Sequence, residues 1–160
     1  NKDIDFPFSK LAIKECQQMP FHAVKRLKKL LNDTFERKKI LICGVSYRED
    51  VADTRFSPAE KIYQELNSQG ANIECHDPYV EWWNELEINV KKEMPKSDVY
   101  DAVIFTVPHK EYKNLDLVSW VNSKKRIIIL DGFKIWSKQN RIHFRENGVN
   151  IEAIGVGIGL

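Results

Sequence analysis

The sequence predicts an α/β domain: a doubly wound, Rossmann-like, mostly parallel sheet of five or more strands with flanking helices, preceded by an N-terminal helix. Three observations predict it. From Lys38 onward, β-branched apolar runs alternate with stretches of helical periodicity. The runs are apolar throughout, the pattern of strands covered on both faces. Turn residues then close them, at Gly44, at Asp77-Pro78 and at Asp131-Gly132.

In chain order, Val24, Leu27, Leu30 and Leu31 recur at helical spacing between Lys25, Arg26, Lys28 and Lys29. They predict an amphipathic helix with Pro20 in its first turn. Its basic face is a solvated face of a helix packed on something else or a membrane or nucleic-acid surface, and its apolar stripe over 20–31 needs a partner to be stable. Residues 38–47 form the first strand. Residues 57–70 form a helix with Ser57 as N-cap, Pro58 at the first helical position, Glu60 completing a capping box and Gly70 as stop. Strands follow at 71–80 and 101–108, a helix at 115–124, a strand at 125–133, a helix over 137–147 closed by Gly148, and a strand at 149–157. Over 81–100 the apolar residues Trp82, Trp83, Leu86 and Ile88 are irregularly spaced, with Pro95 interrupting, so helical cover there is the least defined element.

Composition excludes several classes. Eight Phe, five Tyr and four Trp exclude disorder for most of the chain. A net charge of +2 gives no bulk electrostatic argument for nucleic acid. No apolar run approaches the ~20 residues of a membrane span, and the first residues hold no apolar core of a secretory signal. Cys16, Cys43 and Cys75 are odd in number and lack a CxxC pair, so neither a disulfide framework nor a metal signature is predicted. Cys43 and Cys75 sit in apolar runs as buried thiols. The expectation is a cytoplasmic protein without metal.

Ligands of open parallel sheets bind outside the carboxyl ends of the strands, which directs attention to the loops. The first, Ser46 to Phe56, spans roughly eleven residues where 2–6 are usual. It lacks a GxGxxG fingerprint, so a dinucleotide has no glycine-rich turn here. GVGIG at 155–159 has no helix after it and is set aside. The first loop carries Arg48 and Arg55 with Glu49, Asp50 and Asp53 between them. Two readings stand: the guanidinium groups form an anion site beside a helix N-terminus, or they pair with the acids and pin the loop. Asp77 is a ribose contact or a turn former. His109 and Tyr112 are ligand contacts or structural groups, and Lys134 is a cation within reach of a phosphate or an ordinary exposed lysine. No nucleophile constellation is visible in the sequence.

One stretch carries a resemblance. ILICGVSYREDVADTRFSPAEKIYQELNSQGANIECHDPYV resembles the start of the C-terminal, sugar-nucleotide-binding domain of the UDP-glucose/GDP-mannose dehydrogenase family, through Gly44, Ser46, Tyr47, Asp50, Asp53, Arg55, Ser57, Asp77 and Pro78. DAVIFTVPHKEYKNLD and IIILDGFKIW resemble that domain's third and fourth strands, so the likeness covers about 38–157. QQMPFHAVKRLKKLLND resembles the last helix of the family's central domain, which divides the chain into 1–37 and a nucleotide-sugar-binding domain over 38–160.

The resemblance implies an NAD-dependent, two-step oxidation of a UDP-sugar, or alternatively a GDP-sugar, at C6, in an enzyme that is a homo-oligomer at full length. It implies that Tyr47, Arg48 and Lys134 contact the sugar nucleotide and that Arg55 reaches towards NAD. Arg48 stands where the family has Lys, Phe56 where it has an acid, and Phe133 where it has Arg, with Lys134 one step later. The family's GFGGxCxPKD nucleophile motif is not in this sequence, none of the three cysteines inherits its role, and no catalytic residue is expected. The alternatives are a stand-alone nucleotide- or partner-binding module without catalysis and an independent dinucleotide domain. A phospho-receiver is disfavoured because FTVPHK offers no acceptor Asp at the end of the third strand, and the missing glycines disfavour the dinucleotide domain.

Overall fold

A computed structural model describes residues 6–121 and 126–155. The chain runs through α1 (Pro7–Leu30), β1 (Lys39–Cys43), α2 (Pro58–Ser68), β2 (Asn72–His76), β3 (Trp82–Trp83), β4 (Ile88–Asn89), β5 (Ala102–Phe105), α3 (Lys110–Lys113), α4 (Leu117–Trp120), β6 (Ile128–Asp131), α5 (Lys138–Glu146) and β7 (Asn150–Ala153). Five strands form one sheet in the order β2-β1-β5-β6-β7, and every pairing in it is parallel. The doubly wound expectation holds.

Strand alternation divides the interior into two layers. Ile40, Ile42, Ala102, Ile104 and Leu130 face one side and pack with Val24, Leu27, Ile62 and Leu66 of α1 and α2. Leu41, Cys43, Val103, Phe105 and Ile129 face the other, against Tyr112, Leu117, Trp136 and Phe144. Both faces are apolar because both are covered, which is why the strands read as continuous apolar runs. Cys43 and Cys75 are buried free thiols, and Cys16 is exposed.

Three local expectations are corrected. The first helix begins at Pro7, so Pro20 lies inside it and not in its first turn. A proline there has no N–H for the carbonyl of Cys16, yet the helix continues because its second half is held by packing. The partner that the stripe over 20–31 needs is this domain's own core, where Ala23, Val24, Leu27 and Leu31 are buried, and it is Phe6, Phe8, Leu11, Ile13 and Met19 that are exposed. Ser57 caps α2 by accepting the N–H of Ala59, but Glu60 does not close a box; its carboxylate takes the amide of Gln64. Residues 81–100 give no long helix but an antiparallel pairing of β3 with β4 and a short 3-10 turn at Ser97–Val99.

The predicted helix at 115–124 shrinks to α4, and 122–125 lie outside the described residues, as does the GVGIG run beyond Gly155.

Candidate functional site

Strand order reverses between β1 and β5, so the topological crevice lies between the loops that leave their carboxyl ends. The protein fills this crevice itself. Gly44 has φ +97°, and a Cβ there would stand 2.7 Å from Cβ and 2.9 Å from the backbone N of Val107. The Thr106 hydroxyl donates to the carbonyl of Cys43 at 3.0 Å and also to that of Gly44. A dinucleotide therefore has no cradle at this position: the glycine turn is missing and the space is taken.

Directly above, three fully buried polar side chains meet: Ser46, Asp77 and His109. Asp77 Oδ2 accepts the N–H of Val45 at 2.8 Å, the N–H of Ser46 at 3.1 Å and the hydroxyl of Ser46 at 3.0 Å. It also lies 3.1 Å from His109 Nε2. The other oxygen accepts the N–H of Tyr79 at 2.9 Å. Burial pushes the Asp77 carboxyl up, but His109 and the backbone donors of Tyr79 and Val45 outweigh it, and the net direction is down.

The trio is not a nucleophile. Ser46 Oγ and Asp77 Oδ2 share the same imidazole nitrogen, whereas an activated serine needs the carboxylate on the opposite one. The opposite nitrogen, Nδ1, accepts the N–H of Asp50 at 2.9 Å. Asp77 thus takes the turn-forming role, and His109 and Tyr112 are buried structural groups; the Tyr112 hydroxyl sits 2.8 Å from His76 Nδ1.

The candidate contacts stand outside this plug. Tyr47 is 55% exposed. Arg48 is exposed too, and among the described residues it has no ion-pair partner. Arg55 lies against Asp53, its Nε and one terminal nitrogen at 3.0 and 2.8 Å from the two carboxylate oxygens. Of the two readings of the arginines, the pairing one describes Arg55 here. The contact holds the Asp53 carboxyl down at about 2 and raises Arg55. With the Arg55 side chain 75% exposed, the pair is weak and open to exchange. Phe56, where the resemblance calls for an acid, is 91% exposed.

Lys134 follows β6, two strands from β1 and so about 10 Å across the edge. Asp131 organises its loop, accepting the N–H groups of Phe133, Ile135 and Trp136 at 3.3, 2.9 and 3.3 Å. Lys134 and Phe133 border an open cavity of about 500 Å³ whose other walls include Thr106, Gly132 and Gly155 of the carboxyl edge and Met19 of α1. The remaining candidates do not line it. Asp50, Phe56 and Lys134 all hold left-handed backbone, with φ of 58°, 62° and 54°. Such conformations persist where surrounding contacts enforce them.

Sequence reasoning left open the roles of Asp77 and His109 and missed the partnership of Ser46 with both. Their separations of 31 to 63 residues along the chain carry no local pattern. The only signal available was the co-occurrence of polar residues at three strand ends.

Known proteins resemble this chain over most of its length. Residues 41–138 match the family described as UDP-glucose/GDP-mannose dehydrogenase family, UDP binding domain. The chain is 31% identical over 146 residues to UDP-N-acetyl-D-mannosamine dehydrogenase of Methanocaldococcus jannaschii, covering 87% of this chain and 31% of that protein. It is 26% identical over 137 residues to UDP-glucose 6-dehydrogenase of Rickettsia bellii, covering 82% of this chain and 32% of that one. The solved structure of NDP-N-acetyl-D-galactosaminuronic acid dehydrogenase from Methanosarcina mazei superposes with a TM-score of 0.80 at 23% identity, over 97% of this chain and 34% of that one, a likeness of fold. The chain spans about a third of the length of these relatives. On the match over 41–138 and the identity to the Methanocaldococcus protein, this chain belongs to the UDP-glucose/GDP-mannose dehydrogenase family, and the matched region is its UDP-binding domain.

Proposed function

We propose that this chain holds the nucleotide end of a UDP-sugar for an NAD-dependent dehydrogenase that oxidises the sugar at C6, as the resemblance implies. The observation that carries the reading is the family match over 41–138, which takes in both loops of the candidate site. In this reading Arg48 forks onto the diphosphate, Tyr47 packs beside it, and Lys134 meets the ligand from the opposite side of the edge. Arg55 exchanges its Asp53 partner for the cofactor. The relatives named above are dehydrogenases of UDP-N-acetyl-D-mannosamine and UDP-glucose; a UDP-sugar is therefore preferred over a GDP-sugar.

The residues present do not fit a full dinucleotide site, because Val107, Thr106 and His109 occupy the crevice. This chain's contribution to NAD is thus confined to Arg55 at the rim, and oxidation of the sugar belongs to groups outside this sequence. Homo-oligomerisation at full length is supported by the exposed apolar residues on the first half of α1. A cytoplasmic setting rests on the sequence expectation; among the described residues no helix is long and apolar enough to cross a membrane.

Isothermal titration with UDP tests the reading. Binding is expected, with Arg48→Ala weakening it about tenfold, as loss of a charge-assisted hydrogen bond does, and Arg55→Ala leaving UDP affinity unchanged. A folded chain that gives no heat at millimolar UDP contradicts it.

A further inference from the structure

Arg48 and Tyr47 sit in the middle of a long loop, and a flexible loop binds weakly because it must be ordered first. One imidazole spans this one, beside the bonds of Asp77 to Val45 and Ser46 and the ion pair of Lys113 with Glu49. Ser46, one residue before Tyr47, lies with its hydroxyl 3.0 Å from His109 Nε2. Asp50, two residues after Arg48, donates its backbone N–H to His109 Nδ1 at 2.9 Å. The two nitrogens of one ring thus hold both ends of the segment 46–50. Because Nδ1 accepts, the proton resides on Nε2, where it faces Asp77 Oδ2 at 3.1 Å and Ser46 Oγ. The ring is fully buried.

Secondary ties run the same way. Lys110, the next residue, gives its N–H to Asp50 Oδ1 at 3.1 Å, and the N–H of Tyr47 reaches the Asp53 carbonyl at 2.6 Å. Asp50 adopts φ +58°, a conformation that its bond to the imidazole and its contact with Lys110 help to enforce.

We propose that His109, in its neutral Nε2–H form, is the positioning residue of the nucleotide-sugar site: it spans the two ends of the segment carrying Tyr47 and Arg48 and presets them for the diphosphate. This rests on the UDP-sugar reading and adds the group that acts through Arg48. His109 touches no ligand. Its effect is felt through the order of the loop, so its loss is expected to weaken binding and to erase part of the advantage that Arg48 confers.

The test uses the 160-residue chain with UDP as probe. In the wild type, slow hydrogen exchange at the Asp50 amide and Nε2–H tautomer shifts for His109 are expected in 15N spectra. His109→Gln keeps a donor towards Asp77 and withdraws the acceptor from Asp50. It should make the Asp50 amide exchange fast and raise the dissociation constant for UDP roughly five- to tenfold. On that background Arg48→Ala should lose less than it does in the wild type, the signature of coupling. Ser46→Ala, which keeps the backbone bonds to Asp77, gives the same readout with a smaller shift if His109→Gln does not fold.

Unchanged UDP affinity in the folded variants, with the full Arg48→Ala effect retained, overturns the positioning role and leaves the UDP reading standing. A wild-type chain with a protected Asp50 amide that takes up no UDP overturns the UDP reading and, with it, the role given to His109.

Discussion

The loop after β1 and the loop after β6 are each tied down by a buried aspartate at a strand end, but by opposite routes. Asp77 belongs to the neighbouring strand's end and reaches across to Val45 and Ser46, with His109 arriving from a third strand. Asp131 folds its own following chain around itself, through the N–H groups of Phe133, Ile135 and Trp136. The ionisation of the two carboxyls differs accordingly. Burial raises both, but His109 and the backbone donors bring Asp77 below the ordinary carboxylate range, whereas the backbone donors of Asp131 and Arg141, 3.9 Å away, leave it raised. A short loop can thus be organised locally by one acceptor, while a long one needs side chains from several strands.

The two loops differ most at the glycine that opens each of them. Gly44→Ala meets both a left-handed backbone and the backbone of Val107, and is expected to destabilise by about 4 kcal/mol. Asp77→Asn keeps one acceptor oxygen but turns an NH2 group against N–H donors whichever way it faces, and it removes a charge that the site stabilises; it should lose about 3 kcal/mol. Gly132→Ala meets only the carbonyl of Phe105, at 2.7 Å, and should lose about 2 kcal/mol. Asp131→Asn retains an acceptor oxygen and sheds a charge held at a disadvantage, so its effect should stay under about 1 kcal/mol. Urea unfolding of the four variants orders them; a Gly132→Ala loss above that of Gly44→Ala, or an Asp131→Asn loss above that of Asp77→Asn, breaks the contrast.

Acid sharpens it. The depressed Asp77 contributes stability that is fully present above its unfolded value near 3.9 and is lost as pH falls through the folded value. The raised Asp131 contributes stability that is fully present below about 3.9 and is lost as pH rises through its folded value. Measured from pH 7 downwards, the deficit of Asp77→Asn against wild type should therefore persist to about pH 4 and narrow only below it. Asp131→Asn should lose ground to wild type over the descent to that point. Parallel pH profiles for the two variants would contradict the assignment.

The parts of the molecule that could be read from the sequence are those built from local pattern. Apolar runs gave the five long strands because both sheet faces are covered, and Ser57 with Pro58 marked the start of α2. The start of α1 was hidden because the residues of α1 before Pro20 are exposed, so no buried face marks that half. The β3–β4 pairing was hidden because two-residue strands are too short for any period. At the site, the loops and their candidate cations follow from strand ends, but the bonds among Ser46, Asp77 and His109 join three separate strand ends. The choice between free and paired arginines was settled by conformation: Arg55 found Asp53 two residues away, and Arg48 has no such partner among the described residues.

In the proposed function, a nucleoside diphosphate lodges at the carboxyl edge between the β1 and β6 loops. Backbone amide spectra of the labelled chain titrated with UDP test it most directly. Saturable shifts concentrated at 46–50 and 132–136 are expected, with the amino ends of the strands unmoved. Shifts confined to α1 or to the amino edge, or none at saturating UDP, would contradict it.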